Sequence, residues 1–253
     1  MKVIGIVNQK GGVGKTATAV ALADGLARRN FRTLALDFDP QGQMTASFGI
    51  SDIDTALPPA AKLLAKQPHL EVRKVADSLD IVPSAIGLER CNIELAGKVG
   101  RENYLKKSLP LILEGGYDFV VLDTNPSLSV ITLNAIAACD KIIVPFKPEF
   151  QSLNGVDILL DTLAELSVCG CNADVMGFLA TMADMRRVST RQVIDYMKGY
   201  ARENNSRVFN AIIRSSVTVA DAPGLGKTVY SYRPTSAVAQ DYERFVDEVL
   251  ESV

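Results

Sequence analysis

An α/β fold, with a mainly parallel sheet flanked by helices on both faces, follows from three features of the 253-residue chain. Short apolar runs alternate with helix-period segments from one end to the other. The runs lack the polar alternation of a half-exposed strand, so both their faces are expected to be covered. The first run ends in a glycine-rich loop that opens directly into a helix. A chain of this length buries enough surface to fold without a disulfide or metal staple, and residues 1–253 are expected to form a single domain.

In order, Val3 to Val7 reads as the first strand, the alanine-rich Thr16 to Arg29 as a helix, and Thr33 to Leu36 as the second strand. Ser51 to Pro68, broken by Leu57-Pro58-Pro59 and by Gln67-Pro68, reads as an insertion after that strand. Further strands are predicted at Asp80 to Val82, Phe119 to Leu122, Lys141 to Val144, Val175 to Ala180 and Val208 to Ile213. Helical periodicity fills most of the gaps, most clearly at Asn154 to Leu166, Thr190 to Tyr200 and Val238 to Leu250.

Composition removes several chemistries. The one histidine, His69, sits in the polar stretch Lys66-Gln67-Pro68-His69, which leaves no basis for a Ser-His-Asp or Cys-His machine. Cys91, Cys139, Cys169 and Cys171 form no CxxC pair and have no histidine at zinc-ligand spacing, so they read as buried or incidental thiols. Met1 to Val7 is too short an apolar stretch for a signal peptide, and no segment approaches the roughly 18 uncharged apolar residues of a membrane-spanning helix. The expectation is a cytoplasmic protein with reduced thiols. Net charge is −2, yet Arg186 to Arg233 holds nine basic and three acidic residues, which makes that stretch +6 against −8 for the rest.

Asn8-Gln9-Lys10-Gly11-Gly12-Val13-Gly14-Lys15-Thr16 lies between a strand and a helix, where backbone N–H groups and a helix N-terminus cradle phosphates. Gly11, Gly12 and Gly14 let the backbone wrap an anion, Lys15 can reach the β and γ phosphates, and the Thr16 hydroxyl can ligate Mg²⁺. The common GxxxxGK[ST] pattern is not met, because Gln9 stands where it requires glycine. The segment instead reads KGGxGK[ST], the deviant Walker A motif, and resembles the ParA/MinD family of P-loop ATPases. The resemblance implies a P-loop NTPase fold of the deviant Walker A type. It also implies ATP bound by Gly11, Gly12, Val13, Gly14, Lys15, Thr16 and Ala17, and a Lys10 that reaches the nucleotide of a partner subunit, so that ATP is sandwiched in a homodimer.

The resemblance extends over nearly the whole chain. Asp37-Phe38-Asp39-Pro40-Gln41-Gly42 is similar to the family's switch I motif, and implies that Asp39 orients the attacking water. Independently of the resemblance, two aspartates at i, i+2 leaving an apolar strand place both carboxylates on one side at the sheet's carboxyl edge, where ligands of open α/β sheets collect. Tyr117 to Thr124 resembles the Walker B and switch II segment and implies that Asp123 holds Mg²⁺ through water. The family commonly continues with two prolines where this chain has Asn125-Pro126. Asn134 and the segment 145–155, with Glu149, also match family positions. With Lys10, Lys15 and Asp39 as the catalytic set and no arginine finger visible, a slow ATPase follows, its chemistry mostly positioning and charge neutralisation.

Met182 to Arg186, Ile212 to Pro223 and Gly226 to Val229 resemble the C-terminal signature of the partitioning branch of this family. Arg214 and Ser216 fall where a proline and an asparagine usually frame the adenine, and Ser215 and Thr218 where relatives often carry arginines. Arg186, Arg187, Arg191, Lys198, Arg202 and Lys227 are then the candidate contacts to nonspecific double-stranded DNA, doubled by dimerisation. The alternative for them is a solvated basic surface. A phosphate loop that begins by residue 9 leaves no room before it for a helix-turn-helix module. The last helix carries Asp241, Glu243, Asp247, Glu248 and Glu251 against Arg244 alone, unlike the basic helix of a membrane-surface anchor. The reading is an ATP-dependent, nucleoid-associated partitioning ATPase whose hydrolysis is stimulated by a ParB-like adaptor, with no membrane partner. Its alternatives are a MinD-like membrane-associated ATPase and an iron–sulfur scaffold or reductase, whose cysteine spacing Cys169-Gly170-Cys171 does not provide.

Overall fold

Residues alternate between two covered faces along every central strand, which is why the apolar runs carry no polar positions. The computed structural model describes residues 1–65, 69–149, 154–168 and 170–253, and of 154 and 155 the backbone alone. Its strands are β1 (Lys2–Ile6), β2 (Thr33–Phe38), β3 (Arg73–Ala76), β4 (Leu79–Val82), β5 (Phe119–Thr124), β6 (Lys141–Phe146), β7 (Asp174–Ala183) and β8 (Val208–Arg214). They form one sheet in the order β3-β4-β2-β5-β1-β6-β7-β8. All neighbours are parallel except β3 and β4, so the mainly parallel sheet holds and gains one antiparallel edge that the sequence reading lacked.

The helices are α1 (Lys15–Ala27), α2 (Gln43–Ser47), α3 (Pro59–Leu63), α4 (Arg90–Ala96), α5 (Tyr104–Glu114), α6 (Val130–Ala138), α7 (Asn154–Val168), α8 (Val188–Glu203), α9 (Val217–Asp221), α10 (Val229–Tyr232) and α11 (Ala237–Leu250). Two apolar cores result, one on each side of the sheet. Val3, Leu34, Leu36, Val120 and Leu122 pack with α3 to α8, while Ile4, Ile6, Ala35, Val121 and Ile143 pack with α1, α2, α10 and α11. The proline-broken insertion contains α3, and its residues 66–68 lie outside the described residues.

Helix α1 starts directly after Gly14, whose φ of +78° lets the chain turn from loop to helix without a Cβ penalty. At its other end Gly25 lies against α11, and a Cβ there would stand 2.6 Å from Val246 Cγ2 and 3.1 Å from the Tyr230 hydroxyl. Gly25→Ala is expected to destabilise the protein by about 1–2 kcal/mol, because overpacking a filled core costs more than the roughly 1 kcal/mol of helix propensity that alanine returns. A urea titration of the two proteins checks this; a variant as stable as the parent would show that the α1–α11 contact can give way.

The acidic residues of α11 are consumed within the fold. Glu243 and Asp247 pair with Arg29 at 2.8 and 2.6 Å. Glu248 accepts the amides of Asn210 and Ala211 in β8 at 2.8 and 2.6 Å, and the buried Asp241 binds Arg214. The charge pattern that sets this helix apart in the sequence is therefore docking chemistry. Among the described residues, no helix is long and apolar enough to cross a membrane.

Candidate active site

The parallel register brings the acidic strand ends together. Asp37 of β2 and Ile6 of β1 are both level with Asp123 of β5, so the loops after β1 and β2 leave the sheet beside the Asp123 carboxylate. The loop after β1 is the glycine-rich segment. Gly12 and Gly14 adopt φ values of +71° and +78°, and beyond Gly11 and Gly12 the space a Cβ would fill is open. The loop is held from behind: Asn8 Nδ2 donates to Pro145 O at 2.8 Å while Asn8 Oδ1 accepts the Lys10 amide at 2.8 Å. The Thr181 hydroxyl lies 2.8 Å from Val13 O and 3.1 Å from Phe146 O, fastening the loop to β6 and β7.

A cavity of about 810 Å³ opens over this loop. Gly11, Gly12, Gly14, Lys15, Thr16 and Ala17 line it, with Asp39 from the β2 loop and Arg214 and Ser216 from the end of β8. Val13 instead turns into the core. Lys10 lies half-buried beside the loop, its carbonyl accepting from Lys15 Nζ at 3.3 Å. Val219, Ala220, Ala222, Pro223 and Gly224 also line the cavity, an apolar surface suited to a flat ring.

The two aspartates at the end of β2 differ in their surroundings. Asp37 is fully buried and its oxygens are taken by the Asp39 amide at 3.1 Å, the Thr45 amide at 2.8 Å and the Thr45 hydroxyl at 2.7 Å. It fixes the loop, and burial, opposed by those bonds, pushes its carboxyl up to about 6. Asp39 spends one oxygen on the Gln41 amide at 2.9 Å and stays in the cavity wall. Burial raises its pKa too, with Lys15 pulling it back. For Lys15 the direction reverses: burial lowers its pKa while Asp123 and Asp39 hold it up.

Asp123 is wholly buried and neither carboxylate oxygen has a hydrogen-bond partner. Burial first, and the neighbouring Asp37 charge second, push its pKa well above the carboxylate range, while the Thr16 side chain acts the other way. An unpaired buried carboxylate is costly unless a cation meets it. Its oxygens, with the Thr16 hydroxyl near them, form a donor set that fits a hard divalent ion.

Other predicted residues fall elsewhere. Asn134 braces the α6 side of the core, accepting from Leu105 N at 3.0 Å and donating to Arg101 O and Val130 O at 2.7 and 2.8 Å. Glu149 pairs with Lys147 at 2.6 Å, and residues 150–153 of the same segment lie outside the described residues. Arg186 and Arg187 share Asp184 just before α8, and Arg191, Lys198 and Arg202 continue along that helix, Lys198 paired with Asp195 at 3.1 Å. Lys227 stands apart from them in the wall of the cavity. Cys91, Cys139 and Cys171 are buried free thiols, and Cys169 lies outside the described residues. Thr45, Thr181 and Asp241 were not anticipated from sequence; each acts on a residue at least eight positions away, and no local pattern marks them.

Comparison with known proteins adds four findings. The family described as an AAA domain matches residues 1–175. The chromosome-partitioning ATPase Soj of Thermus thermophilus is 38% identical over 252 residues, covering 99% of this chain and 96% of that protein. The sporulation initiation inhibitor protein Soj of Bacillus subtilis is 36% identical over 252 residues, 98% of each chain. Among solved structures, cobyrinic acid a,c-diamide synthase from Mycobacterium smegmatis, with bound ADP and magnesium, matches with a TM-score of 0.82 at 28% identity, over 99% of this chain and 94% of that one.

Proposed function

The chain belongs to the Soj/ParA family of chromosome-partitioning ATPases, and from that membership we propose that it is an ATP-gated DNA-binding switch that partitions or positions DNA or another cargo in the cytoplasm, on the nucleoid. The observation that carries the reading is the meeting of Lys15, Asp39 and the unpaired Asp123 around an open glycine loop at the ends of three adjacent strands. ATP fits the cavity with its phosphates on Gly11 to Ala17 and its base between the Arg214–Ser216 turn and the apolar wall. Mg²⁺, held by Thr16 and through water by Asp123, would supply charge neutralisation at the β and γ phosphates.

The chain's own groups then divide the work. The loop amides and the Lys15 ammonium neutralise the γ-phosphate, the low exposure of Lys15 strengthening that contact. Asp39 orients a water at the cavity wall, and Asp37 keeps the Asp39 loop in place without touching the nucleotide. Lys10 completes the site of a second copy, so that ATP favours the dimer by contacts that ADP lacks. The paired copies join their basic surfaces, which bind DNA phosphates without reading sequence. A ParB-like adaptor triggers hydrolysis and release.

The test is binding of the full chain to random-sequence duplex DNA with ATP–Mg²⁺, ADP–Mg²⁺ or no nucleotide, at low and moderate salt, with mass followed by light scattering. Binding confined to ATP, shared by unrelated duplexes and weakened steeply by salt is expected. An ATP dimer that ignores DNA would defeat the DNA part of the proposal. Lys10→Ala is expected to weaken ATP-dependent dimerisation by about tenfold or more, the scale of one charge-assisted contact; unchanged dimerisation would remove Lys10 from the interface.

A further inference from the structure

The phosphate loop is gripped at its two ends by different residues. Asn8 ties the entry to Pro145 O, and the exit is held from β7. Val13 turns its side chain into the core and its carbonyl oxygen to the hydroxyl of the buried Thr181. That hydroxyl has one hydrogen for two acceptors, and its contact to Val13 O, at 2.8 Å, is shorter than the 3.1 Å to Phe146 O. The same side chain packs against Gly14: a Cβ built there would stand 3.8 Å from Thr181 Cβ and 3.9 Å from Thr181 Cγ2.

These contacts fix one peptide plane. The Val13–Gly14 bond is trans, so its carbonyl and its N–H point in opposite directions. With Val13 O drawn to Thr181, the Gly14 N–H points away from β7. Gly14 has φ +78°, and without a Cβ its torsions are soft, so a bond from outside the loop is what holds this plane. A donor already aimed costs no reorganisation when an anion arrives.

Strand β7 departs from regularity where it presents Thr181. Between Ala180 and Ala183 it advances three residues while β8 advances two, from Ile212 to Arg214, which is a bulge. Met182 lies within it at φ +52°, a left-handed conformation that a bulky residue adopts at a cost. Its side chain is 44% exposed at the edge of the nucleotide cavity, so no burial of that side chain repays the strain. Bulges beside active sites re-aim a neighbouring side chain, and here the neighbour is Thr181.

We propose that Thr181 is a positioning residue for the nucleotide phosphates: its hydroxyl holds Val13 O and thereby turns the Gly14 amide toward them, and the bulge at Met182 aims it. The inference rests on the placement of the phosphates on Gly11 to Ala17 given above. It adds to that placement a residue that touches no phosphate and lies 168 positions from the loop it serves.

The test titrates ADP–Mg²⁺ and ATP–Mg²⁺ against the full chain, with melts of the nucleotide-free proteins as the control for folding. Thr181→Val keeps the shape and removes the hydroxyl, and is expected to weaken both nucleotides by about tenfold or more, the scale of one hydrogen bond to a charged group. Thr181→Ser keeps the hydroxyl and is expected to stay within about threefold of the parent. Parental affinity in the valine variant would overturn the proposal. Equal losses in the valine and serine variants would also overturn it, since packing under Gly14 would then be the cause. Parent protein that binds neither nucleotide would overturn the phosphate placement itself. Should the valine variant melt early, Thr181→Cys decides against Thr181→Ser, because a thiol is a weak donor: weaker nucleotide binding in the cysteine variant supports the hydroxyl, and equal binding overturns it.

Discussion

Asp39→Ala is expected to slow ATP hydrolysis by about a hundredfold or more, the scale of losing a group that positions and polarises the attacking water, while ATP binding and the ATP dimer persist. Asp39 sits in the cavity wall and touches none of the glycine-loop residues by hydrogen bond; its one bonded oxygen serves the Gln41 amide in its own loop. Removing it takes a negative charge away from the approaching phosphates, so nucleotide affinity holds or rises. In the proposed cycle hydrolysis ends the bound state, so dimer is expected to accumulate without it. Single-turnover hydrolysis and light scattering measure the two halves separately, and a variant that turns over ATP at the parental rate would remove Asp39 from the reaction. Asp37→Ala gives a contrasting result. That carboxylate accepts three hydrogen bonds within the fold, so its loss lowers stability and disturbs the site only through the loop it holds.

Asp123→Asn is expected to act in opposite directions on stability and on ligand binding. In the nucleotide-free protein the Asp123 carboxyl is buried, unpaired and pushed well above its ordinary pKa. The folded chain therefore retains a proton that the unfolded chain releases. Stability contributed by that proton is present below the unfolded pKa of about 4 and is lost as pH rises toward and through the raised folded value. The asparagine variant lacks this loss. Its melting temperature is expected to exceed the parent's by more at pH 8 than at pH 5, where less of that stability has been lost. Asp37, held up to about 6, neighbours the Asp123 charge, so the asparagine also eases the ionisation of Asp37 at high pH, an effect of the same sign that adds to the variant's gain. Magnesium-dependent ATP binding is expected to collapse in the same variant, because an amide cannot replace the anion. Melts at the two pH values, with nucleotide titrations, check both arms; a variant less stable than the parent by the same amount at each pH would mean that Asp123 is already satisfied.

What could be read from sequence follows from how local each cause is. The central strands were legible because burial on both faces makes them continuous apolar runs, and the phosphate loop because its glycines and lysines act within nine consecutive residues. The edge strand β3 was not, since Arg73-Lys74-Val75-Ala76 is largely exposed and carries no apolar period. Asp37 and Asp39 looked equivalent because their spacing places both carboxylates on one side; Thr45, eight residues later, separates their roles. Arg214 was expected beside the adenine and does border the cavity, yet its guanidinium is bound by Asp241, a partner 27 positions away that only the folded chain supplies. Lys227 shows the same limit for charge: composition grouped it with the basic surface, while the turn after α9 sets it in the nucleotide cavity.

The Glu248 carboxylate on β8 has a consequence for crowding. β8 is the last strand of the sheet, and an open last strand is a template on which another chain can zip by backbone pairing. Glu248 already occupies two consecutive amides there, those of Asn210 and Ala211. A second chain could pair with that stretch of β8 only by first displacing Glu248 from both amides.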